Sequence, residues 1–139
     1  MGQRPQAFNI RQMAQITGLS AHTLRYYERA GLMLERVKRG EENGYRSYSQ
    51  EDVAWVEFLK RLRATGMPIR EVHRYTELVR LGEQTVPERL HLLRQHQRQV
   101  EQHLKEVEQH LEAITAKLAC YEQQFPVGSL RSDLQESTR

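Results

Sequence analysis

A single cysteine, Cys120, stands in a chain of 139 residues. That excludes an intramolecular disulfide framework and any multi-cysteine zinc module. Hydrophobic residues are also scarce, at 38%, against roughly 45–50% in ordinary globular domains. One thick core running through the whole chain is therefore not expected. No apolar run reaches the length of about 18 residues that a membrane span needs, and the stretch Met1 to Ala7 lacks the apolar core of a signal peptide. The expectation is a soluble, cytoplasmic protein with no membrane partner. A nucleophile constellation, a phosphate-binding glycine loop and a supported carboxylate pair are all missing, so the chain does not read as an enzyme. No metal site and no cofactor are expected.

Glycine and proline are unevenly placed. Gly18, Gly31, Gly40, Gly44, Gly66 and Gly82 punctuate the first part, whereas Glu88 to Phe125 contains neither residue type. Charge divides at the same point. Residues 1–82 carry 14 Lys+Arg and 9 Asp+Glu, a net +5, and residues 83–139 carry 7 and 9, a net −2. The basic part is a candidate nucleic-acid-binding region.

Local signals order that basic part. Asn9 caps a first helix with Ile10, Met13, Ala14 and Ile16 on or near its apolar face. Gly18 stops it, and Ser20 caps a second helix over 21–30, anchored by Leu24 and Tyr27. A linker of only Gly18-Leu19-Ser20 makes the pair a helix-turn-helix. Leu32, Met33 and Leu34 are candidates for extended chain, and Asn43-Gly44 signals a hairpin turn. Tyr45-Arg46-Ser47-Tyr48 then reads as the returning strand of a β-wing, with both tyrosines on one face and Arg46 on the other. Ser49 and Asp52 have capping-box spacing for a third helix, whose core face would be Val53, Trp55, Val56, Leu59 and Leu62. Lys60, Arg61 and Arg63 gather near its end. Pro68 opens a fourth helix, with Ile69, Val72, Leu78 and Val79 inward.

The strongest periodicity follows. Val86, Leu90, Leu93, Gln97, Val100, Leu104, Val107, Leu111, Ile114, Leu118, Tyr121 and Phe125 alternate by four and three residues. This heptad register indicates a coiled coil. A lone helix cannot bury such a stripe on itself, so a second copy of the chain is the simplest partner. Leu90, Leu93, Val100, Leu104, Val107, Leu111, Ile114 and Leu118 are the expected dimerisation residues. Gln97 would be the polar member that fixes register. His96, His103 and His110 recur beside the seam, about 10 Å apart along a helix and too distant to share one metal. Imidazoles titrate near neutrality, so the stripe is either a pH-sensitive flank or a plain solvated one. Cys120 falls beside the seam and reads as an inert thiol, with Lys117 one turn earlier.

In the second helix, Leu24 and Tyr27 share the core face, which leaves His22, Thr23, Arg25 and Tyr26 near the helix start free to meet DNA. Such a helix enters the major groove, where Arg25 would bind guanine or phosphate and Tyr26 would donate to phosphate. A helix-turn-helix also occurs in proteins that never touch DNA, so an adaptor or co-regulator binding protein through this face is the alternative.

The run "IRQMAQITGLSAHTLRYYERAGLM", followed by "NGYRSYSQEDV" and "LRATGM" and then the coil, resembles the MerR family of bacterial transcription regulators over essentially residues 8–122. The resemblance implies a mainly α protein: a winged helix-turn-helix followed by a long helix that dimerises as an antiparallel coiled coil. It also implies a homodimer on double-stranded promoter DNA at a pseudo-palindromic site. The family bends and untwists an over-long spacer, so that RNA polymerase is engaged indirectly. Carried over by position, DNA contacts come from Ser20, His22, Thr23, Arg25 and Tyr26 of the recognition helix and from Tyr45, Arg46 and Tyr48 of the wing, with Lys60, Arg61 and Arg63 as weaker members. The stretch from Trp55 to Leu90 is similar to the aldehyde- and electrophile-responsive branch. The proposed sensor cysteine of that branch aligns with Arg61, so this chain lacks it. The segment before "NGYR" is also about one residue longer than in that branch.

The expected organisation is a DNA-binding domain over 1–82, a dimerisation helix over 83–122 and a short tail over 123–139. With so short a tail, a small-molecule effector of unknown identity would sit between coil and winged domain. Trp55, Tyr75 and Tyr121 are candidates for its lining and equally for ordinary core.

Overall fold

A computed structural model describes residues 7–40 and 44–125. Its elements run β1 (Ala7–Phe8), α1 (Ile10–Thr17), α2 (Ala21–Arg29), β2 (Lys38–Arg39), β3 (Arg46–Ser49), α3 (Gln50–Ala64), α4 (Ile69–Leu81), a 3-10 turn (Glu83–Thr85) and α5 (Val86–Gln124). The described residues form a mainly helical chain with one small sheet. They divide into two compact units, the first ending at Gln97 and the second beginning at Arg98.

Capping decides where the helices begin. Asn9 and Gln12 form a reciprocal capping box at α1, and Ser49 and Asp52 form another at α3. Each satisfies amide hydrogens that the first helical turn cannot. Ser20 Oγ accepts from the Thr23 amide at 3.0 Å and starts α2. Between α1 and α2 the chain turns at Gly18, whose φ of 72° is a left-handed conformation that glycine adopts at little cost.

The sheet has the order β1-β3-β2, with both pairings antiparallel. β1 was not evident in the sequence: it is two residues long and pairs Ala7 with Ser49 and Phe8 with Tyr48. Lys38 faces Ser47 and Arg39 faces Arg46 in the wing. The expected extended run at Leu32–Leu34 is not a strand but irregular, bent chain, and Leu32 and Met33 are buried in the core. Of the expected hairpin turn, Gly44 is described, with φ 69°, whereas Glu41, Glu42 and Asn43 lie outside the described residues.

The core of the first unit joins α1, α2, the wing, α3 and α4. Met13, Leu24, Tyr27, Leu32, Tyr48, Val56, Leu59, Met67 and Val72 belong to one buried cluster. Val53, Val56, Leu59 and Leu62 of α3 are buried as expected, and Trp55 is half-buried against them. Ile16, placed near the apolar face, is largely exposed. Leu59 is fully buried, so Leu59→Ala should remove about 2–5 kcal/mol of stability. Urea unfolding at fixed protein concentration measures this, and a loss under about 1 kcal/mol would show that the site collapses around the gap.

Packing also changes the reading of the start of α5. Leu92 and Leu93 pack against the core cluster. Leu93, expected in the dimer seam, therefore serves the winged unit. His96 is buried too, and its Nε2 lies 2.7 Å from Thr65 Oγ1 at the end of α3. It is not part of a solvated flank, because the helix face that flanks the seam here meets the α3–α4 turn. His103 and His110 are exposed. The first unit thus extends well into α5, beyond the boundary expected at Gly82.

Within the second unit every described residue from Glu101 to Phe125 is exposed. The helix continues to Gln124, and most of the expected tail, from Pro126 onward, lies outside the described residues. Cys120 is exposed, and Lys117 Nζ sits 5.3 Å from the centre of the Tyr121 ring.

Candidate nucleic-acid interface

α2 buries Leu24 and Tyr27, three residues apart, and this rotation decides which side chains meet solvent. His22, Arg25, Tyr26 and Arg29 are exposed, with Tyr26 retaining 41% of its accessible surface. Thr23 is half-buried, and its hydroxyl pairs with Ser20 Oγ at 3.0 Å. Ser20 is exposed, but its side chain already serves as the helix cap. The N-terminal turn of α2 thereby presents a rigid, capped start with Arg25 and Tyr26 beside it. Both the amide dipoles there and the Arg25 cation favour an anionic partner.

The wing differs from the expected arrangement. In a strand, residues two apart share a face. Arg46 and Tyr48 therefore point the same way, toward α2, while Tyr45, three residues from Tyr48, is 72% exposed. The two tyrosines do not share a face. Tyr48 is 1% exposed and belongs to the core, which corrects its assignment as a DNA contact. Its hydroxyl finds no hydrogen-bond partner among the described residues. Burial, then the nearby Glu28 carboxylate, pushes its phenol above the ordinary value of 10.0. The Arg46 side chain is mostly buried, and its Nε donates to Glu28 Oε2 at 2.5 Å.

The three basic residues of α3 part company. Lys60 donates its ammonium to the Thr17 carbonyl at the end of α1. Arg63 donates to the Met67 carbonyl at 2.7 Å. Lys60 thereby satisfies a carbonyl that lacks an intrahelical partner, and Arg63 ties the end of α3 to the loop that leads into α4. Arg61 is exposed, and its side chain makes no hydrogen bond or ion pair to the described residues.

Several supports were invisible to sequence patterning. Trp55 Nε1 donates to the Leu32 carbonyl at 2.7 Å, and its ring stacks on Tyr75 with centroids 5.8 Å apart. Arg80 of α4 donates to the carbonyls of Gly31, Met33 and Leu34. α3 and α4 thus grip the segment that follows α2 by its backbone oxygens. Tyr75 is held above its ordinary phenol range by burial. Among the described residues no three His, Cys, Asp or Glu side chains are placed to hold a metal ion. No described helix is long and apolar enough to cross a membrane.

Comparison with known proteins decides the family. Residues 8–78 match the MerR HTH family regulatory protein pattern, and residues 53–119 match the MerR, DNA binding pattern. The chain belongs to the MerR family. It is 45% identical over 94 residues to the HTH-type transcriptional regulator AdhR of Bacillus subtilis, covering 67% of this chain and 66% of that protein. An uncharacterised HTH-type transcriptional regulator of Haemophilus influenzae is 32% identical over 125 residues, or 90% of this chain and 91% of the relative. Among solved structures, HiNmlR, a MerR family regulator lacking the sensor domain and bound to promoter DNA, superposes with a TM-score of 0.79 at 31% identity. That match covers 91% of this chain and 99% of HiNmlR. As a MerR protein the chain is a DNA-binding transcription regulator and not an enzyme.

Proposed function

We infer that the protein acts as a homodimer on a pseudo-palindromic promoter, with α2 in the major groove and the wing beside it. The observation that carries this reading is the exposed helix start, where His22, Arg25 and Tyr26 project from an element whose opposite face is locked into the core. A single module of this size makes few base contacts. Two copies at fixed spacing multiply the affinity and demand a two-fold site.

The second copy would be recruited through α5. Leu104, Val107, Leu111, Ile114, Leu118, Tyr121 and Phe125 are each 45–59% exposed. An apolar stripe of that length is costly in water and is relieved when it meets its own copy as a coiled coil. Antiparallel pairing would hold two recognition helices at a set distance. Regulation then follows from DNA mechanics: a dimer that distorts the spacer changes how RNA polymerase engages the promoter elements, at a deformation cost met by added contacts.

Footprinting of the purified protein on the DNA upstream of its own coding region, with a salt titration, tests this reading. The expected result is a two-fold symmetric protected site of about two helical turns, with hypersensitive bases at its centre. Affinity should fall steeply with salt, by roughly a thousandfold or more between 50 and 200 mM if six or more phosphates are neutralised. Absence of protection at low salt would count against it and favour a protein-binding adaptor.

A further inference from the structure

We propose that Glu28 is a positioning residue that ties the wing to the recognition helix and thereby sets operator specificity. The proposal rests on the DNA-binding reading above and concerns a residue that would itself repel DNA.

Glu28 is the first acidic residue in the chain, and the next is Glu35. It lies on α2 among Arg25 and Arg29, on the element that would enter the groove. A bare carboxylate facing a polyanion weakens binding through like-charge repulsion. Here it is not bare. Oε2 accepts from Arg46 Nε of β3 at 2.5 Å, and Oε1 lies 3.7 Å from Arg39 Nη2 of β2. One carboxylate therefore engages both arms of the hairpin, at two residues that face each other across the ladder. Arg39 reaches further, with Nη1 donating to the Gly44 carbonyl at 3.4 Å, next to the turn.

A hairpin with two paired residues in its outer strand does not hold its own geometry. Its angle to α2 has to be fixed from outside. The Glu28–Arg46 pair is suited to this, since both side chains are about four-fifths buried, where screening is weak and the charge-assisted bond is strong. The two DNA-reading elements are then preset before DNA arrives, so the ordering cost of binding is lower. Arg46 acts on the wing's position, and Tyr45 beside it is carried along.

Charge and position make opposite predictions for Glu28→Gln. Removing a negative charge and releasing two guanidinium groups should tighten non-specific binding, by about two- to threefold, and steepen its salt dependence. Loss of the tie should weaken operator binding, so the ratio of operator to random-sequence affinity should fall by roughly tenfold, comparable to one lost base contact. General destabilisation would lower both affinities together and leave the ratio unchanged. The experiment measures both affinities for the full-length dimer across a salt series, with circular dichroism confirming the fold. A folded variant with the wild-type ratio overturns the proposal. If Glu28→Gln does not fold, Glu28→Asp decides, because it keeps the charge and shortens the reach to Arg46. A fall in the ratio supports the tie, whereas a wild-type ratio overturns it. If wild-type protein shows no specific complex at any salt, the DNA-binding reading itself fails and takes the proposal with it.

Discussion

Arg25→Ala is expected to lose specific operator binding while the dimer stays intact. Arg25 is exposed one turn into a helix that the core holds in a single orientation, so its truncation removes a contact without opening a cavity. A good arginine–base pair contributes about 1–3 kcal/mol of discrimination. The dimer carries two copies, so operator affinity should drop by roughly 30-fold at the low end of that range. The salt slope separates the two roles open to the side chain. An unchanged slope assigns Arg25 to a base edge, and a slope smaller by about one per protomer assigns it to a phosphate. Gel-shift titration together with sedimentation checks both halves of the expectation. Wild-type operator affinity in the variant would refute the role.

Replacing Leu104 and Leu111 with Lys should abolish the dimer and weaken operator binding by roughly a hundredfold, the lower end of what linked sites gain over separate ones. Each leucine is more than half exposed in the single chain, so the substitutions leave the winged unit untouched. In a two-fold assembly they remove four leucines at about 1.5–3 kcal/mol each and place four cations on the seam. Sedimentation should give the mass of one chain at micromolar concentration. A monomer that binds the operator as tightly as wild type would sink the dimer argument.

What the sequence made legible was local. Caps at Asn9, Ser20 and Ser49 and the turn at Gly18 are written within a few residues, and the structure places them as read; the heptad run lies on one continuous helix, α5. What it concealed was contact between distant segments. β1 forms only because Ala7 and Phe8 meet residues some forty positions later. Lys60 was carried over as a weaker DNA contact, yet a carbonyl at the end of α1 takes its ammonium. His96 read as a coil flank, but it is covered because the α3–α4 turn lies against that side of the helix. Tyr48 was carried over from the family as a DNA contact and placed on one face with Tyr45, although a strand's period of two separates them and Tyr48 is buried. The exposure of His22, Arg25 and Tyr26 on α2 was legible because a single helix face settles it. Glu28 was not, because its partners come from two strands of a different element.

Trp55 is the only tryptophan in the chain. Its indole N–H is bonded to the backbone just after α2 and its ring is stacked on Tyr75. The molecule therefore carries an intrinsic fluorophore at the junction of α3, α4 and the segment that follows α2. Any event that shifts α2 against its support, whether an operator, an effector or a denaturant, passes through the hydrogen bond and the stack that set its emission. A change in tryptophan fluorescence on titration would report that movement directly, in unlabelled protein and in real time.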